Sequence, residues 1–279
     1  MSDPVAYAFV GPDGCRWTGD EWGAIGFDLE LLLAGPGVLL PRLQRRADEP
    51  HPPRDDDSVA AGVLLDPARK VLLTFAWEAA AVDPRTRAAV FELLAEAWPG
   101  WRIEWSYDGQ TGLRRHAGLD PDDDRGLAVP ALPCPALGPG EKRAEDDPYV
   151  TVVTVGTEGC HLLAAVSDHP AAEGPALLDR LAAAPGHGRR HGCAEAGLHV
   201  DPERRRVGWW LTGAEALAHR VPGRWPGWTV EFWEDDWTRH ERVSAGRFAQ
   251  PPADRAAARA AVREAVRRQR AAPRPDTLR

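Results

Sequence analysis

The sequence predicts an α+β protein built by tandem internal duplication, and three observations carry that prediction. Four short segments recur in the same order in both halves of the chain. Each half alternates short apolar strand patterns with helical ones. A Pro- and Asp-rich stretch separates the halves. The predicted organisation is copy one at residues 1–118, a linker at 119–148, copy two at 149–250, and an Arg/Ala-rich helix and tail at 251–279. Within each copy the order reads ββαββαβ, with an antiparallel sheet and helices packed on it.

The repeats are specific. Gly11-Pro-Asp-Gly-Cys15 matches Gly156-Thr-Glu-Gly-Cys160 at an offset of 145. Val38-Leu-Leu-Pro-Arg-Leu43 matches Ala176-Leu-Leu-Asp-Arg-Leu181 at 138. Gly62, Asp66, Pro67 and Arg69 match Gly197, Asp201, Pro202 and Arg204 at 135. Trp98-Pro-Gly-Trp101 matches Trp225-Pro-Gly-Trp228 at 127. The falling offset means shorter connections in copy two. Chance similarity would not keep both order and drift.

Each element has a local cause. Ala6–Val10 with Arg16–Thr18, and 150–155 with 161–166, flank Gly-containing turns and read as hairpins. A Leu-rich helix follows, near 37–44 and 175–183. The second hairpins turn at Asp66-Pro67 and Asp201-Pro202, where Asp accepts backbone bonds and Pro presets φ. The long helix of copy one is predicted from Asp83-Pro84, with the stripe Val90, Leu94, Ala97 and Trp98. Its shorter counterpart is predicted from a capping box at Thr212 and Glu215. Pro99 and Pro226 stop these helices. Trp101, Ile103 and Trp105 then share one strand face, as do Trp228, Val230 and Phe232. Short helical stretches from Thr111 and Thr238 close the copies.

The segment Trp98-Pro-Gly-Trp101-Arg-Ile-Glu-Trp105, with the hairpin Leu65-Asp66-Pro67-Ala68-Arg69-Lys70-Val71-Leu72-Leu73-Thr74-Phe75, resembles a motif of uncharacterised bacterial proteins, actinobacterial and GC-rich in character. In those, an "LDxxxRxLxLF" hairpin precedes a helix, a Trp-Pro-Gly-Trp turn and a strand. The resemblance covers about half of copy one and, more loosely, the same part of copy two, where Asp236 replaces Gly109. It implies no activity and no catalytic residue.

Composition narrows the function classes. Of 279 residues, 43% are hydrophobic, enough for a sizeable core. The net charge is −8, which disfavours nucleic acid as the main partner. Lys70 and Lys142 are the only lysines among 34 basic residues, a bias consistent with GC-rich coding. No apolar run reaches the roughly 20 residues of a membrane span. The N-terminus carries no secretory pattern, and Cys15, Cys134, Cys160 and Cys193 show no C-x-x-C spacing. The expectation is a cytoplasmic protein with reduced thiols and no membrane partner.

Trp98, Trp101, Trp225 and Trp228 read as core. Trp233, Asp235, Asp236 and Trp237 lie off the repeat pattern and read as an exposed partner-binding patch. Glu104 and Glu231 hold equivalent strand positions. With Asp108 or Asp235 they could line a carboxylate cleft between the copies. His187, His191, Cys193 and His199 suit zinc by type, but their spacing matches no metal pattern, and no metal or other cofactor is expected. Cys15 and Cys160 read as buried thiols rather than nucleophiles. Asp120, Asp122, Asp123 and Asp124 lack the Gly and Glu of a calcium loop, where Arg125 and Ala131 stand instead. Arg255, Arg259, Arg263 and Arg267 form a basic stripe at i+4 spacing.

The favoured expectation is a non-enzymatic protein that binds another, basic protein, as toxin-immunity proteins and inhibitors do. The second is a hydrolase with the carboxylate cleft. The third is an adaptor that docks through its basic C-terminal helix.

Overall fold

The computed structural model describes residues 5–20, 29–47, 59–76, 80–119, 135–137, 150–157, 159–164, 169–215 and 218–271. It is an α+β arrangement with two similar sheet-containing halves, as the repeat predicts. Unit one comprises residues 1–125 and 253–279, and unit two comprises residues 126–252.

Unit one contains β1 (Val5–Gly11), β2 (Gly14–Asp20), α1 (Leu29–Leu33), α2 (Pro36–Ala47), β3 (Ala61–Asp66), β4 (Val71–Ala76), α3 (Arg87–Ala97), β5 (Arg102–Trp105) and α4 (Gly109–His116). Its sheet runs β2-β1-β3-β4-β5. Unit two contains β6 (Val150–Val155), β7 (Gly159–Ala164), a 3-10 turn at Pro170–Glu173, α5 (Ala176–Ala183), β8 (Arg190–His191), β9 (Ala196–Asp201), β10 (Arg206–Leu211), α6 (Val221–Arg224), β11 (Thr229–Phe232), α7 (Trp237–Val243) and β12 (Phe248–Ala249). Its sheet runs β7-β6-β9-β10-β11, the same order copy for copy.

The predicted antiparallel sheet is corrected to a mixed one. The hairpin pairs are antiparallel, but β1–β3, β4–β5, β6–β9 and β10–β11 are parallel. The physical reason is connectivity. The helices between β4 and β5 and between β10 and β11 return the chain to the end where it started, so those neighbours run the same way. The helical segments after β2 and β7 instead carry the chain to the far side of β1 and β6, where β3 and β9 run opposite to β2 and β7 and so parallel to β1 and β6.

Equivalent residues meet equivalent surroundings. Trp98 Nε1 donates to the Leu32 carbonyl at 2.7 Å, and Trp225 Nε1 donates to the Ala171 carbonyl at 2.7 Å. The Trp98–Trp101 rings meet edge to face at 4.9 Å, and the Trp225–Trp228 rings at 5.1 Å. Trp98 and Trp225 are fully buried, which fits their core reading, while Trp101 and Trp228 are half-buried. Asp66 and Asp201 each accept from the backbone N–H three residues on, at 3.0 Å. Both loops then pass through a left-handed residue, Lys70 at φ 53° and Arg205 at φ 50°.

Several local predictions shift. The long helix begins at Arg87 and not at Asp83, whose carboxylate caps a preceding turn by accepting from Arg85 N–H at 2.9 Å. The Thr212–Glu215 capping box does not form. The Thr212 hydroxyl donates to the Glu195 carbonyl, and Glu215 accepts from His169 N–H. The segment at residues 190–191 forms β8, which pairs with β12. The C-terminal helix α8 (Arg255–Ala271) packs on α1 and α3 through Ala258, Val262 and Val266, which recur every four residues.

Candidate functional site

The two sheets share a register row that crosses four strands. In unit one the row reads Ala8, Leu64, Leu73 and Glu104. In unit two it reads Thr154, His199, Gly208 and Glu231. The row above it holds Gly62 beside Phe75 and Gly197 beside Trp210. Each of these glycines lets a helix side chain close in. A Cβ on Gly62 would strike Phe75 and Leu113, and one on Gly197 would strike Trp210 and His240. Leu113 of α4 and His240 of α7 are therefore equivalent. Unit one fills this face with Leu64, Leu73 and Leu113, all buried. Unit two puts His199, Gly208 and His240 in the same places.

The substituted positions make one hydrogen-bonded chain. Trp210 Nε1 donates to His240 Nδ1 at 3.1 Å, His240 Nε2 lies 2.7 Å from Thr154 Oγ1, and Thr154 Oγ1 lies 2.8 Å from His199 Nδ1. An indole N–H can only donate. His240 must therefore accept at Nδ1 and carry its proton on Nε2. That proton goes to Thr154, whose hydroxyl proton in turn goes to His199 Nδ1. His199 is left as the neutral tautomer with its proton on Nε2. Burial holds the His240 pKa well below its ordinary value, and the neighbouring His199 and His169 add to the effect. Burial also lowers that of His199, against the pull of Asp201.

His199 lines a cavity of about 430 Å³ in unit two, together with Arg206, Glu231, Trp233, Arg239 and Arg242. Asp201 and Arg204 complete its polar rim. Glycine at residue 208 makes room for one wall of the cavity, Trp233. Trp233 lies over that backbone, where any Cβ would fall within its indole. The Arg239 guanidinium also lies over the ring, 5.4 Å from its centroid. Glu231 is bound on three sides, by Arg206 at 2.5 Å, Arg239 at 3.1 Å and Trp233 Nε1 at 3.3 Å. Those hydrogen bonds, Arg206 first and Trp233 second, hold its carboxyl below the usual range. Asp201 is lowered by the Arg204 backbone and side chain. The lining carries four arginines against two carboxylates, a surplus of two positive charges.

Comparison with known protein families, curated proteins and solved structures finds no match.

The sequence-predicted residues distribute unevenly. The exposed patch is corrected at its first member: Trp233 is buried, at 7% exposure, because Gly208 makes room for it. Asp235, Asp236 and Trp237 are half-buried. Glu104 and Glu231 belong to separate units. Glu104 pairs with Arg102 at 2.5 Å, so each carboxylate is ion-paired within its own unit. Asp108 is buried and pairs with Arg115 at 3.0 Å. His187, His191, Cys193 and His199 do not come together, and no group of three or more metal-ligating side chains occurs among the described residues. His187 Nε2 instead bonds the Leu137 carbonyl at 3.0 Å. Burial pushes the Cys15 and Cys160 thiols up to about 11, so neither is an activated nucleophile. Of the basic stripe, Arg255 and Arg259 pair with Glu92, Arg259 also with Glu96, and Arg267 with Glu264. Arg263 is exposed. Cys134, Asp120, Asp122, Asp123 and Asp124 lie outside the described residues.

Thr154, Gly208, Trp210, Arg206, Arg239, Arg242 and His240 were not foreseen as site residues. The available signal was divergence between the copies. With the copies aligned on Asp66/Asp201, Leu64 falls on His199 and Leu73 on Gly208; on the Trp-Pro-Gly-Trp turns, Leu113 falls on His240.

Proposed function

We propose that the protein is a non-catalytic binding protein whose recognition site is the cavity of unit two. The fixed direction of the Trp210–His240–Thr154–His199 chain carries this reading. A general base needs a free lone pair where it meets its substrate. The chain leaves His199 with an N–H to offer the cavity, since its Nδ1 is already occupied. Glu231, with two guanidinium partners and an indole, is poorly placed to give up or take a proton. Preformed concave sites of 300–1,000 Å³ with a few placed polar groups are the usual small-ligand sites, and the cavity falls within that range. The lining suits an anion, and not the basic partner that the whole-chain charge suggests.

The reading is tested by ligand capture. Purified protein is equilibrated with a metabolite extract of the native host, and retained small molecules are identified by mass spectrometry. Wild type should retain an anionic compound unchanged, and Arg242→Glu should not. Equal retention by both proteins, or chemical conversion of the retained compound, would contradict the reading.

A further inference from the structure

We propose that the group held in the cavity is a phosphoryl group, as inorganic phosphate or a small phosphate monoester. This deepens the binding reading above and rests on it. Four observations converge.

The first is charge. The lining's surplus of two positive charges remains after Glu231 and Asp201 are counted. A phosphate monoester carries about −1.5 to −2 near neutral pH, whereas a single carboxylate carries −1. The second is donor type. The lining's cations are arginine, as nearly all of the chain's basic residues are, and the arginine fork donates parallel N–H bonds to oxyanions. Arg206 and Arg242 are exposed at the cavity, and Arg242 spends only its Nε, on the Thr238 carbonyl at 3.3 Å. The third is His199. As a neutral N–H donor fixed from behind by Thr154, it adds a hydrogen bond without adding charge. Discrimination then rests on the number of acceptor oxygens, and phosphate has more to offer than a carboxylate. The fourth is what the cavity lacks. Trp233, the one indole of the lining, is buried at 7% exposure, with the Arg239 guanidinium over its ring. It offers little free surface on which an aromatic base could stack. Recognition therefore centres on the oxyanion and not on a planar ring.

A simple structural role does not explain the arrangement. Unit one closes the same row with Leu64, Leu73 and Leu113, so the fold does not need polar groups there. Buried polar side chains in place of leucines add nothing to packing and demand complete hydrogen bonding.

The test titrates the full chain at pH 7.5 and constant ionic strength with inorganic phosphate, methyl phosphate and acetate, in chloride buffer. The His199 Nε2 and His240 ring ¹⁵N resonances report occupancy. Phosphate should bind saturably and move His199 Nε2 strongly, His240 weakly. Exposed-residue variants Arg242→Gln and Arg206→Gln should each weaken binding by ~10-fold or more, the size of a lost charge-assisted bond. Arg263→Gln, on α8, should leave it unchanged. Tighter binding of methyl phosphate than of inorganic phosphate would assign an ester ligand, and the reverse order would assign the free ion; both uphold the proposal. Acetate binding equal to or tighter than phosphate would overturn it, as would a phosphate response that Arg263→Gln reduces as much as Arg242→Gln. If phosphate fails while ligand capture still depends on Arg242, the binding reading stands and only the phosphoryl assignment falls.

Discussion

Unit one and unit two keep the same sheet order and the same tryptophan turns, yet they treat one face of the sheet in opposite ways. Unit one closes the row Ala8–Leu64–Leu73 with Leu113. Unit two opens the row Thr154–His199–Gly208 beneath His240. The contrast separates two tasks that a single copy would mix. What both copies retain is what the fold requires. What only unit two carries is the candidate for function. Glu104 and Glu231 show the distinction at one position: the residue is the same, but among the described residues Glu104 pairs with Arg102, and Glu231 anchors two arginines and Trp233 around a cavity.

The largest expected difference between the units is acid sensitivity. His169 and His240 are fully buried in unit two, and burial takes the His169 pKa down to about 3. Their folded pKa values lie below the ordinary 6.5, so the unfolded chain binds more protons beneath that pH. Their stabilisation is whole above about pH 6.5 and is lost as pH falls toward the folded values, by about 1.4 kcal/mol per pH unit for each histidine. Amide exchange at pH 4.5 should show unit two opening while unit one stays protected. Equal protection in both units would refute the assignment of neutral buried histidines.

Next in size is Gly208→Leu, which writes the unit-one residue into unit two. The new side chain must expel Trp233, and overpacking of this kind costs about 1–3 kcal/mol. Denaturant unfolding should show that loss, and the Trp233 fluorescence should become solvent-exposed. An unchanged midpoint would mean that Trp233 does not seat on Gly208.

The polar chain gives a sharper contrast. His240→Leu alone strands the Thr154 hydroxyl oxygen as an acceptor and the Trp210 N–H as a donor, an expected loss of about 1–3 kcal/mol. The combined Thr154→Ala, His199→Leu and His240→Leu, with Trp210→Phe, copies unit one at every member of the hydrogen-bonded chain. It should recover most of that stability, because removing all partners together leaves nothing unpaired. Strict additivity of the four changes would contradict a connected chain.

The smallest effect probes what the copies share. Trp98→Phe and Trp225→Phe each delete a 2.7 Å indole bond to a buried carbonyl. Each should cost about 1 kcal/mol or somewhat more, and the two costs should agree within error in denaturant unfolding. A large disparity would argue against equivalent environments.

Much of the fold was legible because its signals are local. The Asp-Pro turns, the Trp-Pro-Gly-Trp breaks and the apolar runs of β3 and β9 each act within a few residues. The mixed sheet was not legible, because pairings such as Ala8 with Leu64 depend on how a helix returns the chain, and no local pattern encodes that. The candidate site was harder for a related reason. His199 was grouped with its sequence neighbours His191 and Cys193, but its functional neighbours are Thr154 and His240 on other elements. Trp233 was placed at the surface because nothing in its own segment reveals that Gly208, 25 residues earlier, leaves a slot for it. The residues that the copies share mark the scaffold, and two that differ, His199 for Leu64 and Gly208 for Leu73, line the cavity.

The most direct measurement is the tautomeric state of the unit-two histidines, from long-range ¹H–¹⁵N correlation at pH 7.5 with His199→Gln and His240→Gln used for assignment. Both His199 and His240 should be neutral with the proton on Nε2. A proton on Nδ1 of His199, or a charged ring, would reverse or break the chain and remove the donor on which the binding reading stands.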